Sequence, residues 1–479
     1  MTNTGIISYA AYIPRLRLER AAIAATHAWA LPGLKGAAKG ERSFGSWDED
    51  TITMSVDAVR SCLRTKSPAP VVSLTLASTT PVFSDLQNAS VIAGACALSG
   101  ALSTLDAAGS LRAGTSALIR ALESGLAGDA IVVAADDRHA RPGSLQEMQY
   151  GAGGFAVRTG ATGILARYLG SASSAGSFID HFRAAGEPYD YQWEERWIRD
   201  EGYLKIVPEA VRRLLAASGT DAGAIDFFCL PATISGIAAA VAKQLKIRPE
   251  AVVDNVAAKC GDTGAAHPLM MLGMALEAAK PGQKILVVGF GAGCDALLFE
   301  TTDAIAGYKS ASSVSAALAR GITDRSYGKF LSFSGELDLD WGMRSETDSK
   351  TAMTQLYRSR DMVVGFIGGK CGACGAIQFP KMPACVKCGS TAPMAPAPMV
   401  DEPAKVATYT ADWLMFYPAP PLYVGLVQFD NGARVHMEMV DVDPGNFDVG
   451  TPLRMVYRVK EKDPLRHYNR YFWKAAPLS

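Results

Sequence analysis

Residues 109–137, GSLRAGTSALIRALESGLAGDAIVVAADD, and residues 261–293, GDTGAAHPLMMLGMALEAAKPGQKILVVGFGAG, share one pattern. In each stretch a glycine-containing turn precedes an apolar helix, which leads into a short β-branched strand. The two copies begin roughly 150 residues apart, too far for a solenoid repeat and suitable for a duplicated half-domain. We therefore predict two related halves whose helix N-termini converge on one pocket, where free N–H groups suit a thioester oxyanion or a phosphate.

Alternating strands and helices continue up to about residue 304 and indicate an α/β layered sheet of parallel type. Residues 1–304 are expected to form one domain with halves at about 1–168 and 169–304. The predicted strands are Val71–Ala77, Ala130–Ala135, Asp226–Leu230 and Lys284–Phe290.

Two C-x-x-C knuckles lie near the end of the chain, and their cysteines are Cys371, Cys374, Cys385 and Cys388. Two such knuckles complete a tetrahedral thiolate site, which leaves no open position for chemistry. The spacing predicts a structural Zn²⁺ site. A rubredoxin-type iron site has the same ligands, and disulfides are disfavoured because nothing else in the chain indicates secretion.

Residues 305–360 are more polar, include the charged segment 345–350, and are predicted to form a linker with short helices. The zinc ribbon is expected over residues 361–396. Residues 397–479 then contain alternating segments at 405–413, 426–439 and 453–462, with Asn431-Gly432 as a hairpin turn. This pattern predicts a small β-barrel of the OB-fold type.

The charge balance bears on the class of partner. Lysine plus arginine and aspartate plus glutamate both number 47, so the formal net charge is zero. Nucleic-acid and anionic-membrane partners rely on a positive surface excess, so both are disfavoured. No apolar run is long enough to span a bilayer, and the first residues lack the pattern of a secretory signal. The other cysteines are expected to be buried thiols in a reducing, cytoplasmic setting.

Several short segments together carry a family resemblance, and they are residues 110–115, 130–138, 150–154, 189–191, 261–266 and 289–293. On these segments the N-terminal part resembles the thiolase superfamily, in the branch of HMG-CoA synthase and type III ketoacyl synthase. The C-terminal part resembles the zinc-ribbon and OB-fold protein that accompanies those enzymes as an acyl-CoA-handling subunit. The resemblance implies a duplicated αβαβα fold, coenzyme A as substrate or product, and a homodimer.

The resemblance also places the family's catalytic residues, and this chain departs from each of them. The catalytic cysteine falls at Leu111, beside Ser110. The glutamate falls near Thr79, and the loop that carries the histidine is residues 230–233, LPAT. The asparagine of the ketoacyl synthases falls at Asp262. The covalent acyl-cysteine mechanism therefore does not carry over.

The candidates for the remaining catalytic chemistry are Ser110, Cys260, Asp262 and His267. Ser110 would be a nucleophile, although serine is also a common helix N-cap. Cys260 would be a thiolate activated at a helix N-terminus, or an inert buried thiol. Asp262 or His267 would be the base for direct attack by coenzyme A, with helix capping and burial in the core as the alternatives.

Further residues are candidates for contacts with substrate or coenzyme A, and they are Thr79, Leu111, Arg112, Tyr189, Tyr191 and Trp193. In the related synthases the matching Tyr-Asp-aromatic stretch lines the acyl pocket, so these rings would contact a bulky or aromatic acyl group. The alternative is packing against a dimer partner or the zinc module. His181, at the start of this aromatic segment, is predicted to be structural.

These features favour a CoA-dependent acyltransferase that makes or cleaves a carbon–carbon bond beside a carbonyl, by Claisen or retro-Claisen chemistry on a β-keto acid or an acyl-CoA. The alternative is a non-catalytic scaffold that presents acyl-CoA to a separate thiolase, because such a protein tolerates loss of the family's catalytic residues. An OB-fold nucleic-acid binder is a third hypothesis, which the zero net charge disfavours.

Overall fold

The computed structural model describes residues 4–341 and 352–478 of a chain that divides into two compact units. Unit 1 comprises Met1–Gly45, Asp50–Ala93 and Leu98–Glu336, and unit 2 comprises Ser46–Glu49, Gly94–Ala97 and Leu337–Ser479. The charged segment 345–350 of the predicted linker lies outside the described residues.

The strands are β1 Gly5–Tyr12, β2 Leu16–Glu19, β3 Glu41–Ser43, β4 Val71–Ala77, β5 Ser103–Ala107, β6 Asp129–Asp136, β7 Gly153–Gly160, β8 Ala166–Ala175, β9 His181–Phe182, β10 Tyr191–Gln192, β11 Phe227–Cys229, β12 Lys284–Phe290, β13 Gly293–Thr301, β14 Ile322–Asp324, β15 Ile367–Cys371, β16 Ile377–Gln378, β17 Met394–Pro398, β18 Ala404–Asp412, β19 Leu422–Phe429, β20 Arg434–Met439, β21 Pro452–Asp463 and β22 Tyr468–Pro477.

The α-helices are α1 Arg20–His27, α2 Thr51–Leu63, α3 Asn88–Ala95, α4 Ala113–Glu123, α5 Leu145–Gln149, α6 Glu195–Trp197, α7 Val207–Ser218, α8 Ile237–Leu245, α9 Ala257–Cys260, α10 His267–Ala278, α11 Val314–Ala319, α12 Tyr327–Phe333, α13 Met353–Arg358 and α14 Arg360–Val363. Short 3₁₀ helices span Pro32–Ala37, Ala222–Ala224, Pro249–Ala251, Gly264–Ala266 and Asp303–Gly307, and a π-helix spans Ile198–Ile206. Every helix in the described part of the chain is too short or too polar to cross a bilayer.

The main sheet of unit 1 has the strand order β11-β12-β13-β8-β1-β7-β6-β4-β5. The four predicted strands are present as β4, β6, β11 and β12. The sheet is mixed, however, which corrects the prediction of a parallel type. Strand β4 runs parallel to β5 and β6, whereas β12 and β13 are antiparallel. Only two residues, Gly291 and Ala292, separate β12 from β13, and a connection that short can join only antiparallel strands.

Helices α4 and α10 form a central layer in unit 1. Helices α4 and α10 contact each other, and each contacts strands of both halves. Helix α2 packs against β1, β6 and β7, and α7 packs against β8 and β13. The sequence explains the central layer, because α10 is apolar on nearly all sides and such a helix must be buried. Gly114 permits close approach there, since a Cβ atom at this position would lie 2.4 Å from the carbonyl oxygen of Ala265.

The predicted linker begins later than residue 305. Residues up to Glu336 belong to unit 1 and are paired with its N-terminal segments. Strand β14 runs parallel to β2, and the Ala11 N–H donates to the Ser312 carbonyl over 2.8 Å. The polar composition of this stretch concealed these backbone pairings, which do not require apolar side chains.

Unit 2 contains the zinc-ribbon and barrel elements expected from the sequence. Strands β15, β16 and β17 form a three-stranded sheet, and β18-β19-β20-β22-β21 close into a five-stranded barrel. Asn431 and Gly432 turn the chain between β19 and β20, with Gly432 at a φ of 92° that favours glycine. Strand β22 was not predicted. It carries Lys474, a residue only 1% exposed, which interrupts the expected polar alternation.

The interior of unit 2 holds a buried ion cluster. The Lys474 ammonium donates to Asp48 over 2.9 Å and forms an ion pair with Glu438 at 2.9 Å. It also lies 4.5 Å from the ring centroid of Trp47. Burial raises the pKa of Asp48, but the charges of Lys474 and Arg458 more than offset that effect and hold the pKa below its usual range. The carboxylates in turn keep the Lys474 ammonium protonated.

Candidate active site

A cavity of about 60 Å³ lies where the two halves of unit 1 meet. Its lining comprises Leu111, Arg138, Gln149, Tyr150, Asp180, His181, Gln192, Ile198, Tyr203, Thr233, Ile234, Asp262 and Phe290. Leu111 precedes α4 in the first half, and Asp262 precedes α10 in the second. The two copies of the repeated sequence pattern therefore contribute side chains to one cavity.

Ser110 is held by the second half of unit 1. Its hydroxyl donates to the carbonyl oxygen of Gly291 over 2.6 Å. Helix α4 begins at Ala113, and the residue in the N-cap position is Arg112, whose side chain makes no capping bond. The Ser110 hydroxyl oxygen also accepts the Arg112 N–H over 3.3 Å, a bond of the kind that an N-cap serine makes where a helix starts. As a nucleophile, Ser110 would first have to leave Gly291, and no histidine accepts its proton in the described structure.

Arg112 points to a buried carboxylate. Its guanidinium donates to Asp295 over 2.8 Å, and Asp295 is only 1% exposed. Asp295 also accepts hydrogen bonds from the hydroxyls of Thr115, Ser116 and Ser173. Arg112 thus has a structural partner, because the carboxylate in β13 fixes the first turn of α4.

Cys260 does not occupy the position that would activate it. It is the last residue of α9 and not the first residue of α10, so the helix N-terminus invoked for it is absent. The side chain is 1% exposed, and burial raises the pKa of its thiol to about 12. The structure therefore favours the inert buried thiol among the two alternatives. No cysteine lies in the lining of the cavity within the described chain.

His267 is bonded on both ring nitrogens. Its Nδ1 accepts from the Thr263 N–H over 3.1 Å, and its Nε2 therefore carries the hydrogen, which it donates to the Asn255 carbonyl over 2.7 Å. The residue is 2% exposed and does not line the cavity. These bonds match the alternative of a satisfied core histidine. Asp262 does reach the cavity, although one of its oxygens accepts the Gly264 N–H over 3.0 Å.

Thr79 is tied to a buried carboxylate and does not reach the cavity. Both its N–H and its hydroxyl donate to Asp136, over 2.7 and 2.9 Å. Asp136 also accepts the Ala265 N–H over 2.7 Å, so this carboxylate links the end of β6 to the second half. Thr79, the residue near which the resemblance places a glutamate, is thus part of a structural bridge.

Arg138 is the buried cation of the cavity. It stacks 3.6 Å from the ring centroid of Tyr150 and donates to the tyrosine oxygen over 2.6 Å. It also pairs with Asp190 at 2.7 Å and lies 3.6 Å from Asp262. Burial raises the pKa of Asp190, and the Arg138 charge offsets this and holds that pKa below its usual range. Arg138 is therefore shared between Asp262, which lines this cavity, and Asp190, which does not.

His181 is a functional candidate that the sequence analysis placed among structural residues. It lines the cavity, and its Nδ1 lies 2.6 Å from the Asp180 carboxylate. Asp180 also accepts the Ala292 N–H over 3.2 Å. Burial raises the pKa of Asp180, but the His181 bond and charge more than offset that effect, so the carboxyl stays ionised. The available signal was the Asp-His pair at the start of the aromatic segment.

A second cavity of about 500 Å³ shares Tyr150 with the first. Tyr189 and Tyr191 line it, whereas Trp193 does not. The Tyr189 hydroxyl donates to Glu336 over 2.5 Å, and its ring lies 5.3 Å from the Arg141 guanidinium carbon. Tyr191 is 56% exposed and packs against Trp193, which is 45% exposed. The aromatic segment thus forms one wall and the rim of an open chamber.

The four knuckle cysteines in unit 2 are assembled for a metal. Their Sγ atoms all lie within 4.8 Å of one another. Across the knuckles, Cys371 and Cys388 are 3.9 Å apart, and Cys374 and Cys385 are 3.6 Å apart. Zn–S bonds of about 2.3 Å at tetrahedral angles require sulfur separations of about 3.8 Å, so the site fits Zn²⁺. Backbone N–H groups of Ala373 and Lys387 donate to two of the sulfurs.

Family models match two parts of the chain. Residues 215–300 match the C-terminal domain of 3-oxoacyl-(acyl-carrier-protein) synthase III, and residues 365–393 match the rubredoxin-like zinc ribbon domain of ChsH2. The solved structure of MvaS in complex with 3-hydroxy-3-methylglutaryl coenzyme A superposes with a TM-score of 0.58 at 18% identity, over 69% of this chain and 91% of that one. FabH from Pseudomonas aeruginosa superposes with a TM-score of 0.56 at 21% identity, over 62% of this chain and 98% of that chain.

These likenesses and the strand topology define the class of protein: a thiolase-like α/β fold followed by a zinc ribbon and a closed five-stranded barrel. Among curated relatives, the hydroxymethylglutaryl-CoA synthase of Pyrobaculum neutrophilum is 30% identical over 320 residues, which are 64% of this chain and 89% of that protein. The hydroxymethylglutaryl-CoA synthase of Thermococcus sibiricus is 30% identical over 313 residues, which are 63% of this chain and 88% of that protein. The chain belongs to the hydroxymethylglutaryl-CoA synthase family. The predicted family resemblance and fold class are confirmed.

Proposed function

We propose that this protein is a CoA-dependent acyltransferase that makes or cleaves a carbon–carbon bond beside a carbonyl without a covalent acyl-enzyme. The observation that carries the proposal is the lining of the 60 Å³ cavity. Leu111, at the position expected for the nucleophile, and Thr233, from the loop 230–233 expected to carry the histidine, both line this cavity. Ionisable groups remain there, and they are sufficient for proton transfer and charge stabilisation.

The chemistry proposed is Claisen or retro-Claisen exchange on a β-keto acid or an acyl-CoA. Such a reaction passes through an enolate, whose negative charge needs a fixed cation in a site with little water. Arg138 is 4% exposed and shares its charge with Asp190 and Asp262. A substrate oxyanion that displaces the longer contact, the one to Asp262 at 3.6 Å, would gain this cation without exposing Arg138 to water.

The larger cavity is proposed to hold the acyl group. Tyr189 and Tyr191 offer aromatic faces, and Phe182 adds a third ring 5.3 Å from Tyr191. Flat, apolar walls of this kind favour an aromatic or otherwise bulky acyl group over an acetyl group. We further propose that the zinc ribbon and barrel assist acyl-CoA handling, and that the protein is a cytoplasmic homodimer.

The test is turnover by the purified chain alone. It is incubated with coenzyme A and a panel of aromatic and aliphatic β-keto acids and acyl-CoAs, and acyl-CoA products are followed by mass spectrometry. We expect product formation, with aromatic acyl groups preferred, and no acyl adduct on the intact protein. A stable adduct at any residue would refute the non-covalent mechanism. Tyr191→Ala should raise KM for aromatic substrates more than for aliphatic ones, and an equal effect on both would contradict the assigned acyl chamber.

A second function is favoured by the loss of catalytic groups at Thr79, Leu111 and Thr233. A chain that only presents acyl-CoA to a separate thiolase would bind the ligand and produce nothing by itself. Silence of the purified chain on the whole panel, together with acyl-CoA binding and turnover restored by an added thiolase, would support this scaffold function and exclude the enzyme.

A further inference from the structure

Two histidines lie near the junction of the two halves, and their ring nitrogens differ in availability. Both nitrogens of His267 are bonded to backbone groups. His181 instead uses one nitrogen, Nδ1, for the Asp180 carboxylate at 2.6 Å. An ionised carboxylate can only accept, so Nδ1 carries the hydrogen and Nε2 has a free lone pair. No hydrogen bond to that Nε2 exists among the described residues, and the side chain is 17% exposed.

The fold holds this pair from two sides. The Ala292 N–H, in the turn between β12 and β13, donates to Asp180. The Trp193 N–H donates to the carbonyl oxygen of Asp180 over 3.0 Å and anchors the β9–β10 hairpin that carries His181. A carboxylate that orients an imidazole and stabilises its protonated form is the arrangement of an activated general base.

We propose that His181, oriented by Asp180, is the general acid–base of this protein and replaces the histidine and glutamate that the chain lacks. This inference rests on the proposed acyl-transfer function and assigns its proton transfers to one residue. Asp180 is a positioning residue, since it acts through the imidazole. The charged and titratable groups around His181 are Asp180 and Asp190 from its own hairpin, Arg138, Tyr150, Tyr203 and Asp262.

In the cleavage direction, Nε2 takes the proton of the coenzyme A thiol, and the sulfur adds its electron pair to the β-carbonyl carbon. The bond between the carbonyl carbon and the α-carbon breaks, and its electrons form an enolate whose oxygen is stabilised by Arg138. The imidazolium returns the proton to the α-carbon. One thioester and one shortened carbonyl compound result, and His181 ends as a neutral imidazole.

The first experiment measures kcat for His181→Gln and His181→Ala. A general base contributes about 10²- to 10⁴-fold, so each variant should lose about 10²-fold or more in kcat with little change in KM. Added imidazole should increase the activity of His181→Ala and leave the activity of the wild type unchanged. His436→Gln is the matched control, because that histidine is exposed on β20. Full activity in His181→Gln, or a lack of rescue of His181→Ala by imidazole, would overturn the proposal.

Asp180→Asn tests the positioning role. It should lower kcat by less than the loss of His181 and leave a residual rate that imidazole does not improve. Carbethoxylation by diethyl pyrocarbonate gives a readout that needs no turnover, because an unprotonated ring nitrogen reacts with this reagent through its lone pair. His181 should be labelled at least about 10-fold faster than His267, whose nitrogens are both bonded. Equal labelling of the two would show that Nε2 of His181 is not free and would overturn the assignment.

A third measurement separates failure of this inference from failure of the proposed function. Exchange of the α-hydrogens of an acyl-CoA in D₂O requires the base but no carbon–carbon bond cleavage. Suppose that the wild type shows no turnover on the panel but does exchange α-hydrogens, and that His181→Gln abolishes this exchange. That result would refute the proposed reaction and support His181 as the base. Absence of exchange in wild type, or equal exchange in both proteins, would refute His181 as the base.

Discussion

The pair formed by Arg112 and Asp295 gives the sharpest test of how the structure supports the site. Arg112→Met retains most of the stem of the side chain and removes the charge that neutralises a carboxylate only 1% exposed. Removing one partner of a buried pair costs about 3–5 kcal/mol. Asp295 keeps three hydroxyl donors, so the low end, about 3 kcal/mol, is expected.

The interaction itself is isolated by a double-mutant cycle with Asp295→Asn. Because both single variants lose the same contact, the double variant should be less destabilised than their sum, by about 2 kcal/mol. The matched control is the pair Arg248 and Asp226, at 3.1 Å but with side chains 44% and 26% exposed. Its coupling should not exceed about 1 kcal/mol.

The assay must report unit 1 alone, since unfolding of a two-unit chain need not be two-state. Native-state hydrogen exchange followed by mass spectrometry meets this need, with peptides covering α4 and β13. Arg112→Met should raise exchange in both segments and leave the barrel peptides unchanged. A coupling energy below about 0.5 kcal/mol would be no larger than that of a solvent-exposed salt bridge. It would refute the claim that burial strengthens this ion pair.

Three further predictions concern the ion cluster, the metal and the central layer. Because Asp48 has a lowered pKa in the folded state, its stabilising effect is present above the unfolded pKa of about 3.9 and is lost as the pH falls through the folded value. The melting temperature of unit 2, measured by near-UV circular dichroism, should therefore be constant from about pH 7 to 5 and drop below about pH 4. Lys474→Met should show a weaker drop. Metal analysis should find about one zinc per chain, and Cys371→Ser should release it and raise exchange in β15–β17 only; an iron spectrum would contradict the zinc assignment. Gly114→Ala should cost about 1–3 kcal/mol through its clash with the Ala265 carbonyl, whereas Gly33→Ala, with nothing within 4 Å, should be nearly neutral, and equal melting temperatures would contradict this packing.

The parts of the fold that could be predicted are those with local chemical causes. β4 and β12 have the predicted bounds because each is a short run of apolar residues between turns. The knuckles were predictable because ligand spacing is local. The register of β14 on β2, and the buried Lys474 of β22, depend on distant partners that one sequence does not reveal.

The candidate site was harder to predict because the same residue types serve as caps, core contacts and catalytic groups. Ser110, Arg112 and His267 are polar residues in a family motif, yet each is bonded to a specific structural partner. Those partners, Gly291, Asp295 and Asn255, come from other segments of the chain. The place of His181 in the cavity wall was not predictable for the same reason, since it depends on which segments form that wall.

The hydrogen bonds of Thr79 bear on which segments of the chain can supply an acid–base group to the cavity. Thr79 donates twice to Asp136, and Asp136 binds the Ala265 N–H of the opposite half. A glutamate at position 79 would bring a second carboxylate against Asp136, with no cation bonded to either oxygen in the described structure. A carboxylate at position 79 is therefore incompatible with this bridge. A reactive group can still enter the cavity from the β9–β10 hairpin, whose Arg183 guanidinium donates to the Thr79 carbonyl, and that hairpin begins with His181.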